Sequence, residues 1–518
     1  MASINPPPLF DVLTTTADDL RKRLEEGSIT SVQIVESYLW QIEAHNTKGA
    51  KCRAIITTAP RFQLISRAAT LDKERQAGKL RGSLHGIPIL LKDNFATDAS
   101  LGMPTTAGSY ALWDSCPPGN GPLVDNLIEH GLIILGKANL TEFVGLKGVS
   151  GWSAVGGMCE PAYIPTGYKI GEKPRGETTP AGSSTGSAVG VACGFAPIAL
   201  GTETSGSLVS PSAVAALYAL KLTQGSVPLG GIMEVTSCFD TVGAMGKSAL
   251  DVALTCDALL EPNSTPKLES VASRVDLADV SVGFVDIEKW RLPRHTQTGD
   301  PKYYEQTARE YEAAKDTLRQ KGVKVVDVYI TPPEEYMVGD INVDDLMDNI
   351  IKEQVKNGFD RYLKTLTTSR VRTLEEIIQF NEEHADVEFH KDYCPNQDGL
   401  IERVKESKPD AEAGELLKHC ERWAATEGVD KVVSEHGVDV VVCCSDSFFA
   451  GVSVASHYPM AAVPLGYIES SGRPYGLQAI APANQEAKLI KFMAAWEQCF
   501  PPRRVPDLEA CARARADR

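Results

Sequence analysis

Apolar residues near the start of the chain recur with helical spacing. One face of a predicted helix within residues 16–46 carries Val32, Val35, Leu39 and Ile42. Threonine, serine and aspartate residues precede the helical stretches, as is typical of helix N-termini. We therefore expect N-terminal helices over about residues 10–80.

Short apolar runs bounded by glycine, proline or charged residues predict buried strands in the rest of the chain. Helical stretches separate most of these runs, so strands and helices alternate. This alternation predicts an α/β fold with a large mixed, mostly parallel β-sheet covered by helices on both faces. The runs are HGIPILLKDNF (residues 85–95), LIILG (132–136), APIALGTE (196–203), SVGFVD (281–286), VKVVDV (323–328), VDVVVCC (438–444) and MAAVPLG (460–466).

No linker or break in composition divides this pattern, so we predict a single domain over residues 1–518. The core of the domain is expected over about residues 81–330 and 431–500. Residues 331–430 are more charged and more helical than their surroundings. We expect them to form a helical insertion on the surface of the core.

Composition excludes several classes of protein. Of the 518 residues, 43% are hydrophobic and 23% are charged, which is ordinary for a globular protein. The net charge of −16 argues against a nucleic-acid partner, which would need a basic face. The twelve cysteines are irregularly spaced and form no CxxC motif. We therefore expect neither a structural metal site nor a disulfide framework.

Targeting and membrane signals are absent from the sequence pattern. The N-terminal segment MASINPPPLFDVL has no basic stretch followed by an apolar one, as a signal peptide would. No uncharged apolar stretch reaches the roughly 18 residues that a membrane-spanning helix needs. We expect a cytoplasmic protein without a membrane anchor.

Seven serines lie in residues 181–212, AGSSTGSAVGVACGFAPIALGTETSGSLVSPS, and no histidine is near them in sequence. A flexible linker is disfavoured because the stretch contains the apolar segment AVGVACGFAPIAL. The nearest candidate for a phosphate loop is GAMGKS at residues 243–248. The motif GxxxxGK[ST] would require glycine at position 241, but that residue is Thr241. A nucleophile elbow, GxSxG, matches GSSTG with Ser184 at its centre, but no apolar strand precedes it.

Lys92 stands at the end of the apolar run IPILL, where a charged side chain is unusual. A serine hydroxyl needs a base to become a good nucleophile, and burial lets a lysine serve by favouring its neutral form. Lys92 could instead be a structural lysine that pairs with Asp93. The local sequence does not choose between a catalytic lysine and a structural one.

Seven sequence segments, taken in the order in which they occur in the chain, form one pattern of motifs. They are LEEGSITSVQIVESYLWQIEAHN, LHGIPILLKDNF, GKANLTEF, SGWSAVGGM, the serine-rich stretch, DTVGAMGKSALDVAL and YPMAAVPLGYIESSGRPYGLQAIAP. With these segments the chain resembles the amidase signature family of serine hydrolases over nearly its whole length. The segments GTETSGSLVSPS and RTLEEIIQFNEEH most resemble the branch of bacterial peptide amidases and their fungal relatives.

The resemblance implies a Ser–Ser–Lys catalytic triad and neither a metal nor a cofactor. Ser207 matches the family's nucleophile, and Lys92 matches its general base. Ser183 matches a serine on a cis peptide bond that relays the proton between them. Ser184 matches a serine that helps to hold the lysine. The spacing of 24 residues from Ser183 to Ser207 agrees with the family pattern.

The resemblance also implies an oxyanion hole beside the nucleophile. Small residues precede Ser207, so the substrate can approach the backbone closely. Backbone N–H groups placed there would stabilise the negative charge of a tetrahedral intermediate. The expected donors are the N–H groups of Thr204, Ser205 and Gly206, together with that of the nucleophile itself.

The substrate pocket is where the chain departs from the family pattern. The segment GGMCEP at residues 156–161 differs from the usual family sequence, and from it we expect Gly157, Met158 and Cys159 to line the pocket. The loop at residues 163–178 is longer than is usual in the family. Together with the insertion at 331–430, it is expected to shape the pocket.

The function implied is hydrolysis of a small-molecule or peptide-type amide through a serine acyl-enzyme. The alternatives are transfer of the same acyl group to form an amide or ester, an amidotransferase-like subunit within a complex, and a non-catalytic role. The expected partner is a small-molecule amide or ester substrate. Self-association into a homo-oligomer is open, and no nucleic acid is expected.

Overall fold

The structure of the chain is a computed structural model that describes residues 7–260 and 266–516. Residues 1–6, where the segment examined for a signal peptide begins, lie outside the described residues. The strands of the described part are β1 (Ile55–Thr58), β2 (Pro88–Lys92), β3 (Ile133–Ala138), β4 (Trp152–Ser153), β5 (Gly157–Met158), β6 (Ile198–Glu203), β7 (Tyr218–Lys221), β8 (Thr241–Gly246), β9 (Ser281–Phe284), β10 (Lys324–Asp327), β11 (Met337–Val338), β12 (Ile341–Asn342), β13 (Val440–Cys444), β14 (Met460–Tyr467) and β15 (Pro474–Ile480).

Eleven of these strands form one sheet in the order β1-β3-β2-β6-β8-β7-β14-β15-β13-β9-β10. Four neighbouring pairs are parallel, namely β2/β3, β2/β6, β9/β13 and β9/β10. The other six pairs are antiparallel. The predicted large mixed sheet is confirmed, but the expectation that it is mostly parallel is wrong. Burial on both faces gives antiparallel strands the same continuous apolar pattern, so the pattern does not reveal strand direction.

Helices flank this sheet, as predicted. They are α1 (Ala17–Glu25), α2 (Ser31–His45), α3 (Arg61–Gln76), α4 (Pro122–Glu129), α5 (Glu142–Gly145), α6 (Thr185–Ala192), α7 (Val209–Ala213), α8 (Ala249–Asp257), α9 (Leu268–Ala272), α10 (Ile287–Trp290), α11 (Pro301–Gln320), α12 (Val343–Thr365), α13 (Leu374–Glu383), α14 (Ala385–Glu388), α15 (Asp398–Lys405), α16 (Gly414–Glu421), α17 (Asp430–His436), α18 (Ala450–Ser456), α19 (Glu486–Cys499) and α20 (Leu508–Ala514).

The second helix shows how local sequence sets these elements. Thr30 caps α2 and forms a capping box with Gln33, which satisfies two backbone donors at the helix start. Of the predicted inward residues, Val35 and Ile42 are buried, whereas Val32 and Leu39 are only partly buried. Ile34 and Tyr38 are buried as well. The predicted helix is therefore present, and its buried face overlaps the predicted one but is turned towards Ile34 and Tyr38.

The helices of residues 331–430 pack against the loop that follows β3. Phe359 of α12 contacts Phe143 of the short helix α5, which begins at the end of that loop, with ring centroids 5.7 Å apart. Leu374 of α13 and Leu140 belong to the same buried apolar cluster. This contact matters for the site because the loop after β3 also touches the serine-rich stretch.

Two further features concern the chain's surroundings. No helix within the described ranges is both long and apolar enough to cross a bilayer. All twelve cysteines fall within those ranges and carry free thiols.

Candidate active site

Lys92 ends β2, an interior strand of the sheet, and its side chain is completely buried. Its Nζ donates hydrogen bonds to Ser183 Oγ at 2.7 Å and to Thr202 Oγ1 at 2.8 Å. Burial lowers the pKa of Lys92 to about 7, although the charges of Asp240 and Glu203 oppose this shift. A substantial fraction of Lys92 is therefore neutral near pH 7 and able to accept a proton.

Asp93 does not pair with Lys92. Its Oδ1 instead lies 3.4 Å from the Nζ of Lys137, at the end of the neighbouring strand β3. Its Oδ2 accepts hydrogen bonds from the backbone N–H and the hydroxyl of Thr106. The interpretation of Lys92 as one half of a Lys92–Asp93 ion pair is therefore wrong.

Ser183 lies between the lysine and the nucleophile loop. The Gly182–Ser183 peptide bond is cis, as the resemblance implied. The Ser183 carbonyl accepts a hydrogen bond of 3.0 Å from the backbone N–H of Thr141. A Cβ on Gly182 would stand 2.4 Å from the Thr141 hydroxyl, so only glycine fits at this position. Both residues of the cis peptide are therefore packed against Thr141, which fixes the position from which the Ser183 side chain reaches Lys92.

Ser184 reaches Lys92 only through Thr202 in the described residues. Its hydroxyl donates to the carbonyl of Thr202 at 3.0 Å, and it makes no hydrogen bond to Lys92 among the described residues. The hydroxyl in contact with Lys92 is that of Thr202, on β6. Ser184 thus contacts the residue that binds Lys92, and the support expected of it stays a prediction.

Ser207 lies in the short loop between β6 and α7 and is partly exposed. Its carbonyl accepts a hydrogen bond of 2.9 Å from the backbone N–H of Ser184. This bond holds the loop of Ser207 beside the cis peptide of Ser183. No hydrogen bond of Ser207 Oγ is found within the described ranges, so the hydroxyl is not engaged by another side chain.

The expected oxyanion hole needs one correction. Gly206 has a φ of 81°, and its N–H donates to Glu203 Oε1 at 2.6 Å. This N–H is already engaged and cannot serve an oxyanion. For the N–H groups of Thr204, Ser205 and Ser207, no acceptor is found in the part of the chain that the structure describes.

Glu203 is a residue of the site that was not expected from the sequence. Its carboxylate accepts hydrogen bonds from the N–H groups of Gly206, Leu208 and Val209. Burial raises the pKa of Glu203, and these hydrogen bonds oppose the rise. A charged residue at the end of the apolar run APIALGTE is the same signal that drew attention to Lys92.

Asp240 is a second missed residue. Its carboxylate accepts hydrogen bonds from the Thr204 hydroxyl and the Val235 N–H, both at 2.6 Å. Burial raises its pKa to about 7. Asp240 precedes β8 directly, and no periodicity in the sequence places it near Lys92.

Two of the three expected substrate-pocket residues are buried in this structure. Cys159 is fully buried in the main apolar core. Met158 packs with Trp152 and Tyr168 in a small apolar cluster, and the partly exposed Gly157 faces Arg53. The role of this segment in the pocket stays a prediction.

Known proteins resemble this chain over nearly its whole length. Residues 33–490 match the family model described as Amidase. A protein of Arabidopsis thaliana described as a probable amidase is 28% identical over 513 residues, which cover 96% of this chain and 92% of that protein. The crystal structure of native peptide amidase from Stenotrophomonas maltophilia is 30% identical, covers 96% of this chain and 99% of its own, and superposes with a TM-score of 0.80. One subunit of the glutamyl-tRNA(Gln) amidotransferase of Streptomyces coelicolor is 26% identical over 95% of this chain and 97% of its own length.

Proposed function

The chain belongs to the amidase family and is an amide-hydrolysing enzyme, and from this premise we propose that Ser207, Ser183 and Lys92 carry the reaction. The observation that carries the proposal is the 2.7 Å hydrogen bond from the buried Lys92 Nζ to Ser183 Oγ. Lys92 makes no ion pair with any carboxylate in the described residues, and its pKa is lowered to about 7. These properties suit a general base that must be neutral before it acts.

Acylation follows from this arrangement. Ser207 Oγ attacks the amide carbonyl carbon and gives its proton to Ser183 Oγ, while Ser183 passes its own proton to neutral Lys92. When the tetrahedral intermediate collapses, Lys92 returns a proton through Ser183 to the leaving nitrogen, and the C–N bond breaks. The acyl group is then bonded to Ser207.

Deacylation uses the same proton path. Water attacks the acyl carbonyl and loses its proton through Ser183 to Lys92, and Ser207 Oγ leaves with a proton returned along the path. We assign the oxyanion to the backbone N–H groups of Thr204, Ser205 and Ser207. Losing a donor of this kind typically costs about 10²–10³-fold in rate.

Covalent labelling tests the nucleophile. Ser207→Ala should abolish amide hydrolysis and labelling by a fluorophosphonate probe, because no acyl-enzyme can form. Ser184→Ala should keep the labelling, since this hydroxyl only binds the Thr202 carbonyl. Intact-mass spectrometry measures the labelling, and circular dichroism checks that both variants fold. Labelling that survives in Ser207→Ala and vanishes in Ser184→Ala would instead support the nucleophile elbow.

The surroundings of the enzyme are part of the proposal. We propose a single-domain cytoplasmic enzyme that acts on a small-molecule or peptide-type amide or ester without a nucleic-acid partner, in keeping with its net charge of −16. Light scattering of the purified chain tests self-association. An assay with added hydroxylamine measures how much acyl group passes to an amine rather than to water.

A further inference from the structure

Arg175 is a cation that the proposed reaction does not use. Its side chain is partly buried, and its guanidinium makes no ion pair or side-chain hydrogen bond within residues 7–260 and 266–516. Burial lowers its pKa, and the negative charge of Asp446 opposes this shift. Asp446 is itself engaged by Arg473 through two hydrogen bonds of 3.0 and 3.1 Å. Because an arginine is always charged in proteins, the Arg175 guanidinium could still bind an anion directly.

The guanidinium of Arg175 lies over the loop that carries Ser207. Its Nη2 is 3.8 Å from the point where a Cβ on Gly206 would stand. Glu203, at the base of the same loop, is among the charges that act on Arg175. Glu203 is saturated by backbone donors of its own loop. The guanidinium is therefore next to the nucleophile loop, and the charges of Asp446 and Glu203 act on it without direct contact in the described residues.

The backbone around Arg175 is fixed by contacts with a second segment. The Arg175 N–H donates to the Thr296 carbonyl at 2.9 Å, and a bridge pairs Arg175 with Gln297. The Glu172 carboxylate accepts the N–H of Lys173 and the hydroxyl of Thr178, each at 3.0 Å. The loop thus presents the guanidinium from a defined backbone position, as a binding site requires.

A cavity of about 600 Å³ opens beside Arg175. Arg175 is the only basic residue that lines it, within the described part of the chain. Its lining also includes the apolar Leu292 and Phe448 and three carboxylates, those of Glu334, Asp344 and Asp345. Burial and neighbouring carboxylates raise the pKa of Asp344 to about 6. The cavity therefore combines one cation with three carboxyl groups, and its volume suits a small molecule.

We propose that Arg175 binds a carboxylate of the substrate, and that the preferred substrates are amides with one carboxylate close to the scissile bond. This inference rests on the proposed function of Ser207. A guanidinium binds a carboxylate through two parallel charge-assisted hydrogen bonds, which fix the substrate as well as hold it. The carboxyl groups of Glu334, Asp344 and Asp345 disfavour a second negative charge, so the remainder of the substrate is neutral or cationic.

Matched substrates test carboxylate recognition. Glutaric acid mono-p-nitroanilide and its methyl ester differ in one charge on the acyl side, whereas 4-acetamidobenzoate and its methyl ester differ on the amine side. We expect the acid of at least one pair to have a kcat/KM about 10–10²-fold above that of its ester, mostly through KM. Arg175→Met should remove this ratio, and Arg175→Lys should keep part of it. Arg294→Met, which removes an exposed cation from the adjoining segment, should leave the ratio unchanged.

The outcomes separate this inference from the proposed function. Equal kcat/KM for acid and ester in wild type, or an unchanged ratio in Arg175→Met, would overturn carboxylate recognition even when Ser207→Ala is inactive. If none of the four compounds is turned over, protection from fluorophosphonate labelling is measured with glutarate and with glutaramide. Stronger protection by glutarate that is lost in Arg175→Met supports the inference, and equal protection overturns it. Survival of labelling in Ser207→Ala would refute the proposed function instead.

Discussion

At the residue scale, two buried lysines differ in the side chains that contact them, and this difference indicates their roles. Lys92 and Lys137 end neighbouring parallel strands, and both side chains are completely inaccessible. Lys137 lies 3.4 Å from the Asp93 carboxylate and also donates to a backbone carbonyl. Within the described residues, the hydrogen bonds of Lys92 Nζ go only to two hydroxyls. A lysine that is buried without a carboxylate partner loses its proton more easily, which is why we propose Lys92, and not its neighbour, as the base.

The first prediction concerns the pH dependence of this base. The pKa of Lys92 is lowered to about 7, and the neutral amine is the active form. The value of kcat/KM should therefore fall about tenfold per pH unit below about pH 7 and level off above it. The measurement is a pH–rate profile on a neutral amide, with folding checked at each pH. A profile whose rate falls as the pH rises above 7 would contradict a neutral lysine base.

The second prediction separates catalysis from stability at the same residue. The unfolded chain keeps this lysine protonated up to about pH 10.5, whereas the folded chain releases the proton near pH 7. Burial thus costs stability that grows as the pH falls from about 10.5 to about 7 and stays constant below. Lys92→Met should abolish hydrolysis yet melt at the same temperature as wild type or higher at pH 7. Lys137→Met, which leaves Asp93 unpaired, should melt lower.

At the element scale, the loop between β6 and α7 depends on one carboxylate. The Glu203 carboxylate accepts three backbone hydrogen bonds, one from the residue before Ser207 and two from the residues after it. These bonds fix the path of the loop that carries the proposed nucleophile. α7 has only five residues, which is too short for a stable helix on its own. The N-cap residue of α7 makes no side-chain hydrogen bond. The Glu203 carboxylate therefore accepts the backbone N–H groups that would otherwise be unsatisfied at the start of this helix.

The third prediction follows for this loop. Glu203→Gln should lower stability by about 2–4 kcal/mol, since an amide offers one acceptor oxygen and places an N–H₂ group against backbone donors. It should also lower kcat more than it raises KM, because Ser207 loses its position. Urea unfolding and steady-state kinetics measure the two effects. Glu305→Gln on the exposed face of α11 is the control, and equal effects in both variants would exclude a positioning role.

The same elements show which features of the site could be predicted from the sequence. A charge at the end of an apolar run marks Lys92, and the same signal marks Glu203, so both could be found from sequence. Asp240 and Arg175 lie in loops without periodicity, and only the folded chain brings them to the site. The direction of strands such as β8 could not be predicted, because burial on both faces hides it.

At the scale of the whole molecule, a buried ion cluster joins the helices of residues 331–430 to the catalytic core. Lys147 Nζ lies 2.7 Å from Glu142 Oε1 and 2.6 Å from Glu388 Oε2, and all three side chains are inaccessible. Glu388 ends α14, and it also accepts a hydrogen bond from Ser109. Glu142 follows Thr141, whose N–H holds the Ser183 carbonyl. The cluster therefore connects the helical segment to the proton relay through one short stretch of backbone.

The fourth prediction removes the centre of this cluster. Lys147→Met leaves two buried carboxylates without a cation, which typically costs about 3–5 kcal/mol. Burial already raises the pKa of Glu142 well above its ordinary value, and loss of Lys147 raises it further. The folded variant then takes up a proton that the unfolded chain releases above about pH 4.5. Its stability deficit against wild type in urea unfolding should thus be smaller at pH 5 than at pH 8.

A matched variant decides between lost charge pairing and lost packing. Adding Glu142→Gln and Glu388→Gln to Lys147→Met removes both unpaired charges while keeping side-chain volume, so most of the lost stability should return at pH 8. Lys418→Met, in an exposed pair with Glu415, should change stability by less than about 1 kcal/mol. If the triple variant remains as unstable as Lys147→Met, the cation stabilises the segment by packing between Trp152 and Phe389. A deficit that does not change between pH 5 and pH 8 leads to the same conclusion, because packing does not titrate.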